Sequence, residues 1–261
     1  MGSGVGARTV AQNVSALTPL QREIEKLRAQ LSSSEIEARR DALVRLGNLR
    51  RVESSRVAAG SLNDASDMVR ATAAHATLSL PANELVDLVV PMLNDKSEFV
   101  RQQVAYALGE AKSNRAVPAL VASLAGDKLD SVRAASAVAL GNIADQSAVL
   151  SLTAILDGGP LPATNGKKKK SAGHKENEFV ARAAAHSLGQ IRSPLAVPSL
   201  ARALTDPNSP GDLRREAAAA LGAIGDDSAS PALRAAREDE DPHLAAIVTQ
   251  ALKQIERKAN K

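Results

Sequence analysis

The chain contains no cysteine and no tryptophan, and its only aromatic residues are Phe99, Tyr106 and Phe179. Without cysteine there is no disulfide framework, no thiolate metal site and no cysteine nucleophile. Without large rings, a core must be built from Ala, Leu, Val and Ile, and side chains that small suit thin layers of closely packed helices. Ala and Leu lead the helix-propensity ranking while β-formers are few, so the expected class is all-α. No stretch approaches the ~18 apolar residues needed to cross a bilayer. The first eighteen residues lack the apolar block of a signal peptide, and a soluble cytoplasmic protein with no membrane contact is expected. Charge is nearly balanced too, with a formal +4 over 261 residues. Residues 157–177 hold Lys167 to Lys170 and Lys175 against Asp157 and Glu176, a local +3 that leaves +1 for everything else.

What the chain does have is a repeat. The stretch DSVRAASAVALGNI, residues 130–143, has copies on both sides: an acidic residue, a branched apolar residue, usually an arginine, an alanine-rich turn, then Leu-Gly. Taking the apolar residue before the arginine as an anchor gives Ala38, Val69, Val100, Val132, Val180, Leu213 and Leu244. The intervals are 31, 31, 32, 48, 33 and 31 residues, and a period in this range marks a stacked-repeat solenoid. Such a chain counts as one elongated unit whose parts touch only their neighbours.

Each repeat resolves into two helices. Val100, Val104, Ala105 and Leu108 share one face of the first. Pro118, Pro198 and Pro231 stand eighteen residues after their anchors, where proline suits a second-helix start because it has no amide to leave unpaired. Leu120, Leu152, Leu200 and Leu233 follow two positions later. Thr18-Pro19-Leu20-Gln21 fits a capping box opening a helix over 18–33 that covers the first apolar layer, and Ser34 with Glu37 fits a second box opening the first repeat. The second repeat is degenerate: Leu78 replaces the glycine, and Pro91 is expected to kink its second helix. The seventh repeat keeps only its first helix. The expected layout is a flexible tail over 1–17, the capping helix, a solenoid over 34–257 interrupted by a lysine-rich flexible loop over 157–177, and a short tail over 258–261.

The copies DSVRAASAVALGNIADQSAVLSLTAIL and EFVRQQVAYALGEAKSNRAVPALVASL resemble the HEAT family, in particular the short bacterial type called PBS-lyase HEAT-like repeats. The resemblance covers about residues 35–257. The Trp/Tyr/Phe pattern of tetratricopeptide repeats and the T-P-L-H of ankyrin repeats are absent. It implies a right-handed superhelix of about seven helix pairs, with the arginine-bearing helices on the concave side. Function within the family is diverse, so the resemblance implies little about activity.

Two rows of residues stand out as candidate sites. Arg70, Arg101, Arg133 and Arg214 could form an anion-binding row. Asp64, Asp95 and Asp127, five residues before their anchors in the inter-helix turn, are within reach of an arginine from their own or a neighbouring repeat, and a structural Asp–Arg ladder explains both residue types at once. The second row lies on the solvent side of the first helices, two, six and ten residues past each anchor. It includes His75, Gln102, Tyr106, Glu110, Arg182, His186, Gln190 and Arg215. Core packing does not call for such residues on one line, whereas recognition of a protein or peptide uses Tyr and Arg as anchors. A solvated face without a partner is the alternative.

Catalytic chemistry finds no footing. His75 and His186 sit in repeats too far apart to meet, since packed helices lie ~8–10 Å apart and zinc ligands must converge at ~2 Å. HEAT-repeat diiron hydroxylases carry adjacent His-Glu pairs, and none of the four histidines here precedes Glu. Gly166-Lys167 does not complete a phosphate loop, because Leu161 and Lys168 stand where glycine and Ser/Thr are needed. The sequence therefore points to a monomeric, non-catalytic interaction scaffold without a cofactor, its partner a protein or peptide. Two alternatives remain: an accessory subunit like those of bilin lyases, which share this repeat type, and nucleic-acid or other polyanion contact through Lys167, Lys168, Lys169 and Lys170. The polyanion reading predicts an affinity that falls steeply with salt and is abolished by deleting residues 160–175; binding to heparin or nucleic acid that survives the deletion would rule it out.

Overall fold

The computed structural model describes residues 17–159 and 177–259. Among these residues there are fourteen α-helices, five short 3-10 segments and no β-strand. They fall into two compact units, one ending at Val89 and the other beginning at Val90.

The first unit holds α1 (Pro19–Gln30), α2 (Ile36–Asn48), α3 (Val52–Ala59), α4 (Asp67–Ala76) and α5 (Ala82–Val89). The Thr18 box is formed: Thr18 Oγ1 accepts from the Gln21 amide at 3.2 Å, and Gln21 Oε1 accepts from the Thr18 amide at 2.9 Å. Helix α1 buries Ile24 and Leu27 and packs on α2 and α3. The box expected at Ser34 and Glu37 does not form. The cap residue of α2 is Glu35, with no side-chain cap bond, because Glu37 turns instead to Arg40 at 2.9 Å and Ser33 Oγ accepts the Glu35 amide at 3.2 Å. Pro91 does more than bend its helix. The α-helical winding of α5 ends at Val89 and residues Val90–Asn94 continue as 3-10, since proline removes an amide and its ring crowds the preceding turn.

The second unit contains α6 (Glu98–Glu110), α7 (Val117–Gly126), α8 (Asp130–Ile143), α9 (Val149–Leu156), α10 (Glu178–Ile191), α11 (Val197–Thr205), α12 (Gly211–Ile224), α13 (Ser230–Ala235) and α14 (Pro242–Ala259). First helices α6, α8, α10, α12 and α14 pack in succession as one layer. Second helices α7, α9, α11 and α13 each lie against the first helix of the following repeat. A 3-10 turn, absent from the sequence reading, precedes each second helix, as at Asn114–Ala116 and Gln146–Ala148. Pro118, Pro198 and Pro231 fall in the first turn of their helices. The layers close over leucine: Leu108, Leu140, Leu188 and Leu221 on first helices and Leu120, Leu152, Leu200 and Leu233 on second helices are fully buried. Residues 258 and 259, expected in a tail, belong to helix α14, and Lys258 Nζ donates to the Ile224 carbonyl at the end of α12.

The glycine of each Leu-Gly pair is where one first helix meets the next. A Cβ on Gly109 would stand 2.8 Å from Ala139 Cα, one on Gly189 2.9 Å from Ala220 Cα, and one on Gly222 2.8 Å from Ala251 Cα. In the first unit Gly47 faces Ala76 in the same way at 3.2 Å. At Gly141 the facing residue is Ser187, its hydroxyl donating to the Ala137 carbonyl at 2.8 Å. Glycine nine residues past one anchor thus admits the small residue seven past the next. Five first helices are followed by a left-handed residue twelve past the anchor, Arg50, Lys112, Ala144, Arg192 and Gly225; in the second unit this residue turns the chain towards a 3-10 segment.

This contact makes glycine replacements unequal. Gly109→Val pushes side-chain atoms into the backbone of α8 and is expected to lower the unfolding free energy by about 2–3 kcal/mol. Gly126→Ala, with nothing within 4 Å of the added carbon, is expected to stay within about 0.5 kcal/mol of the parent in urea unfolding.

Candidate functional site

Most of the row two, six and ten residues past the anchors reaches solvent because anchor and Leu-Gly leucine bury the opposite side of each helix, but the row is interrupted by Ala71 and Ala134, which are buried. On α6, Gln102 and Tyr106 are half-buried and Glu110 is exposed. On α10, Arg182 is half-buried while His186 and Gln190 are exposed, and on α12 Arg215 is half-buried. His75 is half-buried on α4 and belongs to the first unit.

The row divides by what its polar atoms already do. On α10 and α12 the groups are engaged. Arg182 reaches Asp212 at 3.2 Å and lies 5.8 Å from the centre of the Phe179 ring. His186 Nδ1 and Glu216 Oε1 are 2.9 Å apart. Arg215 bridges Asp212 at 2.7 Å and Asp241 at 3.0 Å. Asp212 and Glu216 stand on α12 and Asp241 just ahead of α14, so hydrogen bonds and ion pairs link the row across these repeats. Its acidic side, Asp212, Glu216 and Asp241, was missed by sequence reading, although these residues lie within three positions of their anchors. On α6 the opposite holds: Gln102, Tyr106 and Glu110 make no side-chain hydrogen bond or ion pair among the described residues. Three open polar groups, four residues apart, therefore sit on a helix whose other side is packed.

The Asp and Arg residues between repeats have a different geometry. Arg101 grips Asp127 through two bonds of 2.6 and 3.0 Å, both side chains more than nine-tenths buried. Arg214 meets Asp239, and Arg39, not singled out from the sequence, grips Asp64 at 2.8 and 2.9 Å. In each pair the arginine reaches the aspartate that ends its own repeat. The following arginine takes backbone: Arg70 donates to the Asp64 and Ala65 carbonyls, and Arg101 donates to the Asp95 carbonyl. Asp95 itself accepts from the Ser97 amide. Arg133 binds the Leu124 carbonyl and Asp130 of its own helix.

Several carboxylates are held below their ordinary pKa. The Arg39 guanidinium does this to Asp64 and that of Arg214 to Asp239, while the Ser147 and Ser228 hydroxyls do it to Asp145 and Asp226. Burial pushes Asp127 up, but bonds from Arg101 and the Leu129 amide outweigh it and leave it lowered.

Lys167 to Lys170 lie outside the described residues, as do residues 1–16. The segment's flanks are tied: Asp157 accepts from Ser199 at 2.9 Å and Arg202 at 2.8 Å, and Asn177 caps α10 through the Phe179 amide. A basin in the first unit lined by Arg28, Glu53, Arg56 and Asp64 has three of these four charges paired, with Glu25, Glu84 and Arg39. Among the described residues no group of three His, Asp or Glu side chains could hold a metal ion, and no helix is long and apolar enough to cross a membrane.

Paired helices stacked in layers, with a buried Asp–Arg clasp between repeats, define an α-solenoid protein of the armadillo-like kind. The chain belongs to the HEAT-repeat family: the family profile, described as HEAT repeats, matches residues 59–141, 86–162 and 170–253. Among solved structures it is similar to the CpcE–CpcF complex of phycocyanin lyase from a Nostoc species, at 23% identity over 91% of this chain and 92% of that one, with a TM-score of 0.51. It is likewise similar to Escherichia coli YibA, at 18% identity over 98% and 99% of the two chains and a TM-score of 0.51. The karyopherin Kap121p, in a structure bound to the extreme C-terminus of the phosphatase Cdc14p, matches at 15% identity over 95% of this chain and 31% of that one, with a TM-score of 0.61. No curated protein matches. At these identities the solved structures show the fold.

The lowered carboxylates set a pH response. A depressed folded-state pKa contributes stability that is fully present above the unfolded aspartate value of ~3.9 and is lost as pH falls through the folded value. The urea midpoint should therefore be level from about pH 7 to pH 5 and fall below about pH 4. Asp127→Asn, which leaves Arg101 buried without its counter-charge, should cost about 2–3 kcal/mol at neutral pH and make the acid fall shallower.

Proposed function

We propose that this protein is a non-catalytic scaffold that holds a protein or peptide on the first-helix face of its second unit, with Gln102, Tyr106 and Glu110 of α6 as the leading contacts. The carrying observation is that these three side chains are accessible, aligned and unengaged, while their helix is held rigid by the packing beneath it. A tyrosine offers apolar area and a hydroxyl at small entropic cost, and flanking Gln and Glu supply donors and acceptors, the mixture that recognition surfaces use. Arg182, His186, Gln190 and Arg215 extend the face along α10 and α12. There the Arg182–Asp212 pair is exposed and weak, so a ligand can exchange it for its own groups without leaving a buried charge unpaired.

The test is affinity capture from the source organism with the parent chain and two variants, Gln102→Ala/Tyr106→Ala and Arg182→Ala/His186→Ala. The first variant should lose a captured partner by about tenfold or more, and the second should lose less. Thermal midpoints matching the parent's would establish that neither change acts by unfolding. A partner retained in full by both variants would place recognition elsewhere and overturn the assignment.

A further inference from the structure

Helices α6 and α10 open on the same three residues, Glu98-Phe99-Val100 and Glu178-Phe179-Val180. Each valine is a fully buried anchor, and the ring one position earlier is left partly in water, Phe99 37% and Phe179 50% exposed. On α10 a cation sits against that ring: the Arg182 guanidinium lies 5.8 Å from the centre of Phe179 and reaches Asp212 at 3.2 Å. Arginine also stands two past the anchor on α2 and α12, and there too it meets a carboxylate, Arg40 with Glu37 at 2.9 Å and Arg215 with Asp212 at 2.7 Å. On α6 this position is Gln102. Among the described residues no cation lies over Phe99, and Glu98 and Glu110 make no hydrogen bond or ion pair. Glu98 acts on the buried Arg101 only through its field, since Asp127 holds that guanidinium. Other bases nearby are engaged or lie off the strip. Arg133 is bonded to Asp130, and Lys96, Lys112, Lys128 and Arg192 stand in the turns beyond the helix ends.

We infer that this strip takes an arginine side chain of the partner, whose guanidinium settles over Phe99 in the place that Arg182 fills over Phe179. The inference rests on the scaffold reading of the first-helix face and adds the chemistry of the ligand. An aromatic ring attracts a cation to its face, and a planar guanidinium can stack there while its edge donates to a carboxylate. Helix α6 offers both parts. Phe99, Gln102, Tyr106 and Glu110 follow one another at spacings of three and four, so they form a single stripe. Tyr106 supplies a second ring along it, and Glu98 and Glu110 place negative charge at its two ends, which repels an acidic ligand. The approach is open on the side of α8: where α12 sets Asp212 and Arg215 beside α10, α8 has only Ser131 and the buried Ala134. Lysine fits less well, because its compact, strongly hydrated ammonium has no plane to lay on a ring.

Because Phe99 and Phe179 are the chain's only phenylalanines, the full chain labelled with para-fluorophenylalanine carries two fluorine resonances, assigned with Phe99→Leu and Phe179→Leu. The probe is a short blocked peptide of alternating alanine and arginine, and its alanine–glutamate counterpart is the control. At low salt and up to about 10 mM peptide, the arginine probe should move the Phe99 resonance at least about twice as far as that of Phe179, and the glutamate peptide should move neither. Gln102→Arg, which supplies the guanidinium from the chain itself, should raise the apparent dissociation constant at least about fivefold. Arg40, Arg182 and Arg215 show that the fold accepts arginine at this position; should the variant misfold, Glu98→Gln/Glu110→Gln is expected to weaken binding about threefold. A Phe99 resonance that stays still, moves no more than that of Phe179, responds equally to both peptides, or titrates unchanged in these variants overturns the inference. The scaffold reading fails on a different result, a captured partner indifferent to Gln102→Ala/Tyr106→Ala. A partner lost by that variant but held in full by Gln102→Arg rejects the arginine and keeps the scaffold.

Discussion

Everything in the second unit depends on how closely one first helix can approach the next. Backbone meets backbone where the Leu-Gly glycine admits an alanine or serine from the following repeat, as at Gly109 with Ala139 and Gly189 with Ala220. Alanine on both sides of the seam keeps the helices near enough for leucines in consecutive layers to interlock, and large rings would hold them apart. The near-absence of aromatics is therefore a consequence of the architecture. It also explains why the single tyrosine sits on the outside, at the one surface of these helices that is not shared with a neighbour.

The seam governs spacing, and the clasp between repeats governs orientation. Each aspartate of the Asp64 and Asp127 kind accepts from its own repeat's arginine through the side chain and from a backbone amide two residues ahead. Its turn also offers carbonyls to the next arginine, as at Asp64 and Arg70. A fork-shaped guanidinium suits this task because it can hold a carboxylate bidentately and still bond a carbonyl. Where the clasp is buried, as at Arg101 and Asp127, breaking it leaves a charge without compensation; where ion pairs are exposed, as at Arg182 and Asp212, the same chemistry is weak and replaceable. Burial is what separates a structural arginine from one that can serve recognition.

Periodic features were legible in the sequence to a good resolution. The anchors, the buried leucines, the prolines opening second helices and the Thr18 box depend on residues a few positions apart, so local spacing specifies them. Features decided by competition were not legible. Ser34 and Glu37 have the spacing of a capping box, yet Glu37 goes to Arg40 because a charged donor one turn away outbids a backbone amide. Position left Asp64 within reach of an arginine of its own or a neighbouring repeat, and packing gives its carboxylate to Arg39, on the first helix of its own repeat. The candidate strip looked uniform as a sequence pattern, and only coordinates separate Gln102, Tyr106 and Glu110, which are open, from Arg182, His186 and Arg215, which are occupied.

By itself the sequence determined the class of fold, the repeat length, the two helices within each repeat and the side of each helix that faces inward, since all of these follow from periodicity along one chain. The tertiary structure alone decided which repeat a given side chain reaches, which glycine faces which alanine and which surface polar groups retain free hydrogen-bonding capacity. These are relations between residues some 25 to 50 positions apart. No spacing rule reaches that far, because the partner is chosen by packing and by the competition of neighbouring charges.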